Sequence, residues 1–126
     1  MSRVAAVLLL GAGVVHVVLG VAGITGADRL EANVREINTS PSGGELYFSL
    51  GSWGLILGAV GGLEVASAVS LHRVGARARL FGLIAGFLAM GAVFFSLPIF
   101  RWPSAATILA LLAATYVLTY RLPSEA

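Results

Sequence analysis

Between Leu46 and Leu71 lie 26 residues that carry one charge, Glu64. A stretch so long and so apolar exceeds the roughly 20 residues a helix needs to cross a bilayer, and little else can accommodate it. It also holds Gly51, Gly54, Gly58, Gly61 and Gly62. Of these, Gly54, Gly58 and Gly62 form a double small-xxx-small repeat, which predicts a groove where a second helix backbone comes close. Three further apolar runs flank this one. Val4 to Ile24 has His16 as its only titratable group, Leu80 to Leu97 ends at Pro98, and Ser104 to Tyr120 supplies 17 residues. The pattern predicts an all-α fold, an integral membrane four-helix bundle in one domain, with spans at about 4–24, 46–71, 80–97 and 104–120.

Composition supports the bilayer as solvent. In 126 residues, 58% are hydrophobic and 11% charged, against roughly 45–50% and 25% in soluble domains. A core this small cannot hide that excess from water. There is no cysteine, which excludes disulfides, thiolate metal sites and thiol-dependent quinone reduction. All eight cationic side chains are arginines and the net charge is +2. That balance is explained by membrane orientation and calls for no nucleic-acid partner. Arginine without lysine, in a chain rich in Ala, Gly and Val, points to a GC-rich bacterial genome.

The run from Val4 to Ile24 is longer than the roughly 7–15 residues of a signal-peptide core, so it is expected to persist as a span. The polar segment Thr25 to Glu45 reads as a short amphipathic helix on the membrane surface. Leu30, Val34 and Ile37 form its apolar stripe, and Asn38 to Gly44 a loop after it. Arg3, Arg73, Arg77, Arg79 and Arg121 fall on one side of the expected membrane, and Arg29, Arg35 and Arg101 on the other. This split, densest at Arg73, Arg77 and Arg79, predicts a multi-pass protein of the bacterial plasma membrane with both termini cytoplasmic.

Two ionisable residues lie inside the spans. On a helical wheel His16 shares its face with Ala5, Leu9, Ala12, Gly13, Gly20 and Gly23, so it points at other helices rather than lipid. It could relay protons, serve as a haem or metal ligand or contact a substrate, but the expectation is a neutral, structural imidazole bonded to a carbonyl or hydroxyl on the next helix. A lone histidine makes a poor metal site, and no metal is expected. Rise arithmetic places Glu64 ~10 Å and His16 ~18 Å from the cytoplasmic boundary. Those depths favour pairing of Glu64 with Arg77 or Arg79 over pairing with His16. Gly82 and Gly86 repeat the small-residue device on the third span. No phosphate loop, nucleophile triad or cofactor motif is legible, so no catalytic residue and no cofactor is assigned.

Gly13-Val14-Val15-His16-Val17-Val18-Leu19-Gly20, the aromatic entry Tyr47-Phe48, Trp53-Gly54 and Pro98 resemble small bacterial four-helix membrane proteins grouped as a domain of unknown function. The resemblance spans nearly the whole chain and implies a fold, with no activity attached. Small multidrug exporters are similar in size but place a glutamate in the first helix, where this chain has His16. Small fluoride channels carry Gly-Arg motifs that are missing here.

Three functions compete on these grounds. The first is an oligomerising or accessory subunit of a larger membrane complex, not an enzyme, with the lipid bilayer and a homo-oligomer or complex as partners. The second is a small proton-coupled transporter or channel that uses Glu64 and His16. The third is a membrane enzyme with His16 as base, which lacks a second catalytic group at matching depth.

Overall fold

The computed structural model describes residues 1–25, 50–97 and 101–122, and of residues 50–53 and 95 the backbone alone. The described residues are helical throughout, with no strand. Helix α1 runs Ser2–Thr25, α2 Leu50–Val74, α3 Arg79–Ser96 and α4 Arg101–Tyr116. A 3-10 turn, Gly75–Ala78, joins α2 to α3, and a π-helical segment, Val117–Arg121, extends α4. The expected first-loop amphipathic helix and the proline break at Pro98 lie outside the described residues.

The helices outrun the apolar stretches from which they were expected. Helix α2 continues through His72 and Arg73, and α4 starts at Arg101, with Pro103 in its first turn, where a missing N–H costs no hydrogen bond. Hydropathy marks where apolar side chains stop, whereas the backbone hydrogen bonds carry on into polar surroundings. The turn after α2 rests on Gly75, whose φ of 65° is open to glycine without strain. Among the described residues, three stretches are long and apolar enough to cross a membrane: Ser2–Thr25, Gly54–Phe94 and Arg101–Arg121. The middle one holds the Gly75 turn within it.

Each helix packs on its neighbours in sequence, and α4 returns to α1, while α1 barely touches α3. The α1–α2 contact is by far the most extensive. It is a backbone-to-backbone seam. A methyl placed on Gly20 would lie 2.6 Å from the carbonyl oxygen of Gly54 and 2.9 Å from Cα of Gly58. On Gly13 it would lie 2.8 Å from the Gly61 carbonyl, and on Gly61 2.7 Å from that of Gly13. The two meeting points pair Gly13 with Gly61 and Gly20 with Gly54, so the helices run antiparallel with seven residues between glycines on each.

This corrects the groove expected along Gly54, Gly58 and Gly62. A methyl on Gly58 or Gly62 would meet nothing within 4 Å. The reason is angular. Each four-residue step overshoots a full turn by about 40°, so the Cβ direction at Gly58 and Gly62 turns off the contact, although the Gly58 backbone still lies against Gly20, whereas a seven-residue step returns within about 20°. Gly51 lies in the first turn of α2, outside the residues whose surroundings are described. In α3, Gly82 does mark a close approach: a methyl there would lie 2.9 Å from Leu118 Cδ1 and 3.3 Å from Leu71 Cδ1. Gly86 has room, its nearest neighbour being Thr115 Oγ1 at 3.6 Å.

Leu9, Leu71, Leu111 and Leu118 are fully buried and fill the centre where all four helices converge. The outside is just as apolar. Val7, Leu55, Leu80, Phe87 and Leu109 are between 61% and 69% exposed, whereas Glu64, Ser67, Ser96 and Ser104 are wholly enclosed. Helices apolar on every side belong in a medium that does not penalise exposed hydrocarbon.

Gly20→Ala should therefore lower thermal stability in mild detergent by about 1–3 kcal/mol, the cost of overpacking a tight contact, while Gly58→Ala leaves the monomer's fold unchanged. Equal effects of the two substitutions would show that the seam does not run through Gly13, Gly20, Gly54 and Gly61.

Candidate functional site

The seam places the buried polar residues. His16 sits on α1 between Gly13 and Gly20, on the face buried with Ala5, Leu9, Ala12 and Gly23, as its wheel position requires. Glu64 follows Gly61 by one turn on α2, and a methyl on Gly13 would lie 2.9 Å from its Cβ. With the backbones this close, His16 Nδ1 and Glu64 Oε2 are 2.5 Å apart, and both side chains are completely buried.

The direct pair overturns the depth argument that set Glu64 against Arg77 or Arg79. Rise along the axis locates the Cα, but every helical Cα–Cβ bond leans toward its own N-terminus. On antiparallel helices those leans are opposed, so His16 and Glu64 converge on an intermediate level. Arg79 instead donates from Nη2 to the Leu122 carbonyl at 3.1 Å, tying the start of α3 to the end of the π segment.

A third helix completes the arrangement with residues that carried no signal in the sequence. His16 Nε2 lies 2.9 Å from Thr107 Oγ1 on α4. Thr107 donates its hydroxyl proton to the Ser104 carbonyl one turn back, at 3.0 Å. One turn toward the start of α4, Ser104 Oγ bonds Ser96 Oγ of α3 at 2.8 Å, and Ser96 also donates to the Val93 carbonyl at 2.7 Å. All four helices thus meet in one buried polar string. Ser67 stays out of it, donating to the Glu64 backbone carbonyl rather than to its side chain. Thr and Ser are common in apolar helices because they can bond their own backbone, which is why the sequence alone did not single these out.

The donors fix the proton count. Because Thr107 gives its proton to Ser104, its oxygen accepts from His16 Nε2–H. The remaining ring nitrogen and Glu64 Oε2 then share one proton across 2.5 Å. With that proton on either atom, the unit as a whole carries no net charge. This suits a pair whose two side chains are fully enclosed, since a net charge there would be costly. One acceptor is left over. Glu64 Oε1 is buried and has no hydrogen-bond partner among the described residues.

Two open grooves flank α1. One, lined in part by Val7, Gly11, Val15, Pro103 and Ala106, runs between α1 and α4 and reaches Thr107. The other, between α1 and α2, ends at Arg3 and His72. On the opposite side of the polar string from Ser96, the buried leucines Leu9, Leu71 and Leu118 close the interior.

Compared with known proteins, residues 1–123 match the family described as Domain of unknown function (DUF7144). No curated protein and no solved structure matches the chain.

Removing one partner of a buried pair strands the other. His16→Leu should destabilise by about 3–5 kcal/mol, and His16→Leu with Glu64→Leu together by much less than the two single changes combined. Thr107→Val, which keeps the shape and loses the hydroxyl, should cost about 0.6 kcal/mol. Unfolding in detergent measures the cycle; additive single effects would mean that His16 and Glu64 are not coupled.

Proposed function

This chain belongs to the DUF7144 family of unknown function, and we propose that it is a four-span membrane protein whose buried Glu64–His16–Thr107 unit takes up and releases a proton. The four-helix membrane bundle is supported by the Gly75 turn. A continuous helix over the 41 residues from Gly54 to Phe94 would be ~60 Å long, twice the hydrocarbon thickness, so two spans joined at the turn fit better. Aromatic residues support it too. Trp102 at one end of α4, and the tilted ring pair Tyr116–Tyr120 at the other end and in its π extension, are exposed. Trp102 and Tyr120 stand ~27 Å apart by helical rise, near the spacing of the two interfacial belts. Arg3, Arg73, Arg77, Arg79 and Arg121 gather at one end of the helices. That end faces the cytoplasm in this reading, in a bacterial plasma membrane.

The observation that carries the functional reading is the His16–Glu64 contact of 2.5 Å inside a fully buried site, with Glu64 Oε1 still open. Such a pair can gain or lose one proton, and either change turns a neutral interior into a charged one. Intramembrane carboxylate–histidine chains of this kind serve proton-coupled transport. The leucines beyond Glu64 block a through-going wire, so the arrangement suits a gated proton-binding site better than an open channel. The expected result is that nitrogen-15 NMR of the histidine rings shows His16 changing with pH in the native chain, and that Glu64→Gln abolishes the change. A His16 signal constant at every pH where the protein stays folded would reduce the unit to a structural cross-link.

A second reading, an oligomerising or accessory subunit, is favoured by Gly62, an exposed glycine of α2 with open space where a side chain would stand. Gly62→Leu separates it: loss of a defined assembly in mild detergent, with the monomer fold intact, supports a helix docked on that face. An unchanged assembly state removes it.

A further inference from the structure

The groove between α1 and α2 has a composition unlike the rest of the lipid-facing surface. It encloses about 540 Å³, within the roughly 300–1,000 Å³ range of ligand-binding clefts. Its walls are Val7, Leu10, Ala68 and Val69, and its mouth carries Arg3 and His72. Arg3 belongs to the first turn of α1 and His72 to the last turn of α2, so the antiparallel pairing brings both to one boundary. Both are exposed. Neither has a hydrogen-bond or ion-pair partner among the described residues, and no acid of the described helices lies at this end. From Arg3 the groove runs to Leu10, ~10 Å along the helix toward the membrane centre.

We propose that this groove binds an anionic phospholipid, its phosphate held by Arg3 and His72 and one acyl chain laid over Val7, Leu10 and Val69. Charge complementarity selects the head: the two cationic or N–H-donating groups have no counter-charge among the described residues, and basic pockets between spans on the cytoplasmic side are suited to anionic lipid heads. The floor of Ala6, Val7, Leu10, Ala68 and Val69 selects a lipid over a soluble anion, because a free phosphate would leave that apolar surface uncovered. Arg73, next to His72, adds positive potential at the mouth. This site is independent of the proton-binding reading, since Glu64, His16 and Thr107 do not line it.

The test titrates the purified full-length chain in neutral detergent with dioleoylphosphatidylglycerol, dioleoylphosphatidylcholine or inorganic phosphate, following thermal unfolding. Phosphatidylglycerol should raise the midpoint more than phosphatidylcholine does, and phosphate should have no effect. Arg3→Gln with His72→Gln should weaken phosphatidylglycerol at least about fivefold, the worth of one basic group near an anionic surface. Val69→Trp, which fills the floor, should weaken both lipids. Arg121→Gln, a charge change outside the groove, should preserve the preference. Equal effects of the two lipids on the native chain would overturn the proposal. So would equal protection by phosphate, or loss of the preference in Arg121→Gln to the same degree as in the double variant, which would reveal a diffuse effect of net charge.

Discussion

The approach of α1 to α2 is the constraint from which the other features follow. Glycine at Gly13, Gly20, Gly54 and Gly61 removes the side chains that would hold two backbones apart. Between helices in lipid there is little hydrophobic force to recover, so close van der Waals contact and hydrogen bonds between polar groups must supply the association. The seam provides both at once. It shortens the gap between backbones, and by doing so brings an imidazole and a carboxylate, each anchored on a rigid helix, to 2.5 Å. Thr107 and Ser104 then recruit α4, and Ser96 recruits α3. Among the described residues the polar groups His16, Glu64, Ser67, Ser96, Ser104 and Thr107 lie inside while large apolar side chains cover both core and much of the surface, an inversion of the arrangement found in water.

Much of this was legible from residue order. The apolar runs announced the helices because hydropathy integrates over many residues. The face of His16 was legible as well, since Gly13 and Gly20 fall on the same side of α1 and small residues collect where helices touch. What could not be read is anything set by rotation or lean. Gly54, Gly58 and Gly62 make the more recognisable motif, yet the partner helix follows the seven-residue interval from Gly54 to Gly61. Choosing between the two requires the crossing angle, which depends on both helices together. The His16–Glu64 pair was missed for a related reason: axial depth treats a residue as a point on its helix, whereas the opposed leans and lengths of the two side chains close the difference.

Thr107, Ser96 and Ser104 show a different limit. A hydroxyl in an apolar helix satisfies itself on the preceding turn, and here Thr107 and Ser96 do so while also serving a neighbour. Nothing in the local sequence separates such a residue from Ser70, which bonds only the Ala66 carbonyl on the helix exterior. The family match adds breadth, covering residues 1–123, without supplying chemistry.

The ring-like order of packing, with α4 returning to α1, has a consequence for biosynthesis. Under the four-span reading, helices threaded into a membrane in sequence order would place α1 before α2, so His16 would already be present when α2 carries Glu64 into hydrocarbon. The acid then has a partner at the moment of entry, when an isolated carboxylate is most costly. Thr107 arrives last. Until α4 inserts, His16 Nε2 lacks its hydroxyl partner and Ser96 lacks Ser104, leaving a half-made polar face open to lipid. In that order of insertion α4 is the helix that completes the polar string, because it supplies the side-chain partners of both His16 Nε2 and Ser96 Oγ.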